Sequence, residues 1–132
     1  MTIVVAYTPD PAGSAALDLA VREARIRGEK LIVVNATKGE ALVDARFASS
    51  GDLGQVDAQL SGLEHEIKQP VGVDVAELVL DEVRESGASL LVVGLRHRSP
   101  VGKLIMGSVS QRLLLDAPVP VFAVPAGRHT AS

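Results

Sequence analysis

The chain has 132 residues, a net charge of −3 and a pI near 5.5. This excludes a domain whose main work is neutralising nucleic-acid phosphates or docking on an anionic membrane, because both need a basic face. Hydrophobic residues make up 47% but aromatics only 2%, so the core must be aliphatic, as parallel strands under helices would make it. Cysteine is absent, which removes disulfides, thiolate catalysis and cysteine-based metal sites together.

The opening run Ile3 to Ala6 is apolar and β-branched, and reads as a strand covered on both faces. It is too short, and lacks the preceding basic residues, to be a secretion signal. No other run approaches the roughly 18 apolar residues that cross a bilayer, so a soluble, cytoplasmic protein is expected. Leu17, Val21 and Ala24 then follow helical spacing, opened by Asp10-Pro11 and closed by Gly28. Leu31 to Val34 is a second strand. Thr37 to Gly62 carries Gly39, Gly51 and Gly54 among scattered charges and reads as a long connection with one or two short helical pieces, to which the sequence assigns no role.

Leu63 to Lys68 alternates as a half-exposed edge strand would. Asp74 and Glu77 have the spacing of a capping box, and the helix they open, with Val75, Leu78, Val79 and Val83 inward, runs to Gly87. A strand over Ser89 to Val93 follows. From Gly107, Val109, Leu113 and Leu114 are again helical, stopped by Asp116-Ala117-Pro118, and Val119 to Val124 is a last strand containing Pro120. Strands alternating with helices give an α/β fold, a doubly wound parallel sheet with helices on both faces, over residues 1–126, with 127–132 a frayed tail. In such sheets ligands sit beyond the carboxyl ends of the strands, which singles out the loops after Tyr7 and Val93.

The second of these loops, Gly94 to Ser110, enters a helix on Gly107-Ser108. The unpaired N–H groups and partial positive charge of a helix start attract anions. Gly107 carries no Cβ, Ser108 and Ser110 add hydroxyls, and Arg96, Arg98 and Lys103 add charge. The same residues also suit a strand-end turn and a helix cap with solvated basic side chains, and spacing alone does not decide. A P-loop is excluded because His97 and Leu104 stand where glycine and a hydroxyl residue are needed. Neither a Gly-x-Gly-x-x-Gly fingerprint nor a Gly-x-Ser-x-Gly elbow occurs. Asp10 reads as a helix cap, and His65 and His129 cluster with no other ligand type, so no metal site is expected.

Gly94, His97 and Gly107-Ser108 fall on the frame Gly, two residues, Gly, nine residues, Gly-Ser of the ATP-binding universal stress proteins. The chain resembles that family over nearly its whole length. The likeness includes the first strand with its short loop and helix, the stretch Gly107-Ser-Val-Ser-Gln-Arg and the ending Ala117-Pro-Val-Pro-Val-Phe-Ala-Val. The resemblance implies a five-stranded parallel sheet in the order 3-2-1-4-5 and a homodimer joined through Val119 to Val124. It also implies ATP or another adenine nucleotide across the first and fourth strands, with magnesium accompanying the phosphates. By the same resemblance Ala6 and Thr8 lie near the adenine and ribose, and the backbone of Ala36 reads the adenine edge. Val93 and Gly94 floor the site, and Gly107, Ser108, Val109 and Ser110 form the phosphate-binding turn. Two positions depart from the family: Thr8 replaces an acidic residue near the ribose, and His97 replaces the second glycine. The expected function is that of an ATP-binding regulatory or stress-response protein with no catalytic residue. A dimeric scaffold without nucleotide and a slow ATP hydrolase are the alternatives.

Overall fold

The computed structural model describes residues 1–38, 46–95 and 107–126. The first apolar run forms β1 (Thr2–Ala6), and α1 (Pro11–Arg27) follows it. The helix begins where the Asp10 carboxylate accepts from the Gly13 N–H at 2.8 Å, and ends where Gly28 takes the left-handed conformation at φ 66°. Then come β2 (Lys30–Val34), α2 (Ser50–Gln59), β3 (His65–Lys68), α3 (Val75–Ser86), β4 (Leu90–Leu95), α4 (Ser108–Asp116) and β5 (Val121–Pro125). All strand pairs are parallel and the order is β3-β2-β1-β4-β5, as the resemblance implies.

Period-two alternation divides the strand residues between two cores. Ile3, Val5, Leu31, Val33, Leu90 and Val92 pack with Leu17 and Val21 of α1 and Val56 of α2. Val4, Ile32, Val34, Leu91 and Val93 pack with Val79, Leu80 and Val83 of α3 and Leu113 of α4. The central strands are therefore apolar throughout their buried positions, with Thr2 and Lys30 only at their starts, because each face has its own helix layer. At the β3 edge the exposed positions are charged, with Glu66 paired to Lys30 and Lys68 to Glu82, which blunts further pairing.

Three element bounds differ from the sequence reading. β4 continues through Gly94 to Leu95, so Gly94 is a strand residue and not the turn after it; its ladder with β5 extends it, through Gly94 opposite Val124 and Leu95 opposite Pro125. β5 begins at Val121, beyond Pro120, which has no N–H to donate. β3 begins at His65, two residues later than the alternation suggests. The tail 127–132 lies outside the described residues.

Two glycines set how closely α1 meets the sheet. A Cβ on Gly13 would lie 1.7 Å from the Thr8 carbonyl oxygen, and one on Gly94 would lie 2.1 Å from the Ala12 carbonyl oxygen. Backbone therefore meets backbone where the first turn of α1 passes the ends of β1 and β4. Residues 46 and 48, ahead of α2, are held by a different device. Asn35, fully buried, donates from Nδ2 to the Tyr7 carbonyl at 3.0 Å and the Arg46 carbonyl at 2.6 Å. Its Oδ1 accepts from the Ala48 N–H at 2.9 Å and from Gln69 Nε2 at 3.0 Å, so all of the amide's capacity is used. Two residues beyond Gln69 the chain bridges back, Thr37 pairing with Val71.

Arg112 of α4 clamps the start of α3. Its guanidinium reaches Asp74 at 2.9 Å, Glu77 at 2.7 Å and Asp116 at 2.8 Å. Asp74 is also the cap of α3, accepting from the Glu77 N–H at 3.1 Å. The Arg112 guanidinium first, and that N–H second, hold the Asp74 carboxyl below the ordinary carboxylate range, and Arg112 itself is shifted upward mainly by Asp74.

Gly13→Ala should destabilise the fold by about 1–3 kcal/mol in urea unfolding, although alanine favours helix, because its methyl meets backbone. Gly54→Ala, in a helix with nothing within 4 Å of the added Cβ, should stabilise it by roughly 0.5–1 kcal/mol. Equal effects at the two positions would remove the steric account of Gly13. Because the Asp74 pKa is depressed on folding, its contribution to stability is present above the unfolded pKa and is lost as pH falls through the folded one. Arg112→Met should therefore move the Asp74 carboxyl titration, followed by NMR, up towards its ordinary range; an unmoved midpoint would assign the depression elsewhere.

Candidate functional site

The carboxyl ends of β1 and β4 diverge where the winding of the sheet reverses, and α4 starts above them. Gly107 is the N-cap of α4, extended at φ −69° and ψ 160°, with no side-chain cap among the described residues. The first intrahelical bond of this turn is Gln111 N–H to the Gly107 carbonyl at 2.9 Å, so the N–H groups of Ser108, Val109 and Ser110 have no helical acceptor. They give the start of α4 donors and a positive dipole end.

A crevice of about 60 Å³ lies at this point, lined from β1 and its loop by Ala6, Thr8 and Asp10, from β4 by Val93 and Gly94, and from α4 by Gly107, Val109 and Ser110. It adjoins a narrower space of about 40 Å³ bordered by Ala6, Thr8, Ala36 and Val109. A wider cavity of about 400 Å³ is bordered by Lys38, Asp74, Ser108, Val109 and Arg112. Arg46 and Val109 border all three. The last volume is within the range of about 300–1,000 Å³ typical of small-molecule sites.

Seven of the ten residues singled out from the sequence, Ala6, Thr8, Val93, Gly94, Gly107, Val109 and Ser110, thus border one crevice. Ala36 borders the narrow space and Ser108 the wide cavity. His97 lies outside the described residues, as do Arg96, Arg98 and Lys103. The Ser110 hydroxyl donates to the Gly94 carbonyl at 3.3 Å, tying α4 to β4, while Ser108 is exposed.

Three charged residues at the site escaped the sequence reading. Asp10 does more than cap α1: its Oδ1 also accepts from the Thr8 hydroxyl at 2.8 Å, and it borders the crevice. The acid that the resemblance expects at position 8 is thus present two positions later, bonded to Thr8. Arg46 comes from the connection after β2, and Arg112 from the second turn of α4; only the spacing of Arg112 from Gly107 on one helix could have signalled either. The described residues contain no cluster of three or more histidine and acidic groups able to hold a metal, and no helix among them is long and apolar enough to cross a membrane. His65 sits at the far sheet edge, bonded to Asp57 and to the Leu63 carbonyl.

A sequence model described as the universal stress protein family matches residues 1–125. A universal stress protein from Mycolicibacterium smegmatis is 55% identical over 124 residues, covering 92% of this chain and 95% of that one. A universal stress protein structure from Archaeoglobus fulgidus superposes with a TM-score of 0.69 at 33% identity, over 94% of this chain and 98% of that one. A structure of the universal stress protein from the same organism in complex with dAMP gives a TM-score of 0.62 at 27% identity, over 94% and 97% of the two chains. With its sheet order, its glycine-started fourth helix and a match over almost its entire length, the chain belongs to the universal stress protein family.

Proposed function

We propose that this protein binds an adenine nucleotide, ATP first among them, in the three adjoining spaces beyond β1 and β4, and acts as a nucleotide-dependent regulatory protein. The observation that carries this reading is the start of α4, where N–H groups without helical acceptors, and without a side-chain cap among the described residues, adjoin a crevice bordered by residues of β1 and β4. The apolar walls formed by Ala6, Ala36, Val75 and Val109 suit a flat base, and a family relative 27% identical to this chain has been solved with dAMP. In this reading Ala6 and Ala36 meet the base, Thr8 and Asp10 the sugar hydroxyls, and Gly107 to Ser110 the phosphates, with magnesium accompanying them. Thr8 does not leave the sugar without a charged acceptor, because the Asp10 carboxylate stands beside it.

The same proposal includes a homodimer through Val119 to Val124. β5 closes one edge of the sheet, pairing only with β4 among the described residues, and its Ala123 is exposed. An apolar edge of this kind invites pairing with a second copy.

Calorimetric titration with ATP, with acid extraction of a parallel sample to check for co-purified nucleotide, should show saturable binding. Neither heat nor extracted nucleotide would leave the dimeric scaffold as the better reading. Gly107→Val should abolish binding and keep the fold, since φ −69° is open to valine while its side chain obstructs the phosphate approach; unchanged affinity would place the site elsewhere. Light scattering should read twice the 13.8 kDa chain mass, and Ala123→Asp should return a single chain; a monomer before substitution would remove the dimer.

A further inference from the structure

His65 has no role in the sequence reading, yet both nitrogens of its half-buried ring are engaged. Nδ1 lies 2.7 Å from the Leu63 carbonyl oxygen, and Nε2 lies 2.9 Å from Asp57 Oδ1. A carbonyl oxygen and a carboxylate oxygen only accept, so both contacts are hydrogen bonds only when both nitrogens carry a proton, as in the imidazolium. A neutral ring keeps one donor and turns a lone pair towards the other oxygen. The two partners stand on either side of a tight turn. Asp57 is in the last turn of α2, and Leu63 follows Gly62, at φ 80°, on the way into β3.

We propose that His65 is a proton-dependent latch: its imidazolium fastens the end of α2 to the start of β3, and loss of one ring proton releases that end of the helix. The end concerned is lightly held. α2 buries one residue of its own, Val56, and its last turn carries no basic residue to meet the negative end of its dipole. Neighbouring elements supply the cations. Arg25 of α1 donates to the Gln59 and Ser61 carbonyls, each at 3.3 Å, and His65 of β3 meets Asp57. Asp18 of α1 takes the Gln59 amide at 2.6 Å. The remaining charges of β2 and β3 are engaged elsewhere, Glu66 with Lys30 and Lys68 with Glu82 of α3, and Glu64 is exposed. In register beside His65 on β2 stands the apolar Leu31. The Leu63 carbonyl first, and Asp57 after it, hold the imidazole above its ordinary value, with burial working against them. The start of α2 is secured separately, by the reciprocal cap of Ser49 and Asp52 and by Asn35 on the Ala48 N–H. Release therefore concerns the last turn and not the whole helix.

Because the folded pKa of His65 is raised, the latch stabilises the fold fully below the unfolded pKa and loses its effect as pH rises through the folded one. The test is an NMR titration of the full chain between roughly pH 5 and 9, the range in which histidine changes charge. The His65 ring should titrate above the ordinary histidine value, and the amides of the last turn of α2 should shift with the same midpoint while that of Asp52 stays in place. Hydrogen exchange in that turn, corrected for its intrinsic rise with pH, should accelerate through the same midpoint. Asp57→Asn should lower the ring midpoint, and His65→Gln should leave the last-turn amides flat across the range. In urea, the stability difference between the parent and His65→Gln should shrink as pH rises, His97 and His129 being common to both chains. A ring midpoint at or below the ordinary value overturns the latch. So do last-turn amides that ignore the ring midpoint, or a midpoint that Asp57→Asn leaves unmoved. The parent titration needs no variant and decides the matter even if His65→Gln fails to fold.

Discussion

Everything near the site depends on how closely the first turn of α1 lies against the ends of β1 and β4. Carbonyls of Thr8 and Ala12 occupy the space that side chains at Gly13 and Gly94 would fill. Because of that approach, Asp10 sits at the mouth of the crevice instead of on the outer surface, and its carboxylate serves two donors there. The contact that closes the helix layer onto the sheet is thus the contact that forms one wall of the crevice. Packing and site geometry cannot be altered independently at these positions, since any side chain added at Gly13 or Gly94 displaces both.

The fold was legible because each central strand is buried on both faces and the caps of α1 and α3 use Asp, Pro and Gly in their ordinary places. What was not legible was set by partners distant in sequence. Gly94 looks like the end of a strand, but the ladder to β5 carries β4 past it, and a glycine is needed there because of Ala12, more than eighty positions earlier. The helix α2 is one of the short helical pieces expected after β2, but its bounds were obscured by Gly51 and Gly54, which lower helix propensity, and by its having one buried residue, Val56, to show a period. Its start was nevertheless written in the sequence, since Ser49 and Asp52 form a reciprocal capping box.

The glycine frame gave the helix start that borders the crevice because the physics of a helix start is local: a Gly-Ser at the turn is enough to suggest N–H groups without helical acceptors. Arg46 carries no such local signal. It follows a stretch without period, and its main chain is held by Asn35, eleven residues away, whose own neighbours come from the residue after β1, from the end of the same connection and from the residue after β3. A buried amide that joins three segments looks in sequence like any asparagine at a strand end. The Asp10 and Thr8 pair was missed for a different reason: an N-cap explains Asp10 completely, and only the coordinates show that Oδ1 accepts a second donor.

The charge of the site follows from pairing more than from composition. A chain of net charge −3 would be a poor anion binder if its field were uniform, and the wide cavity contains Asp74 as well as Lys38, Arg46 and Arg112. Arg112, with three carboxylates around it, adds little positive potential to the cavity it borders, while its clamp withdraws Asp74 from repelling an incoming anion. Asp10 is similarly occupied on one oxygen by the Thr8 hydroxyl and the Gly13 N–H. The crevice is left with donors at the α4 end and acceptors at the Thr8 and Asp10 end. A ligand that is anionic at one end and carries hydroxyl donors at the other satisfies both in one orientation and neither in the reverse. That polarity, built from a helix start without a side-chain cap among the described residues and a threonine-supported carboxylate, would favour one orientation of such a ligand before any other contact is counted.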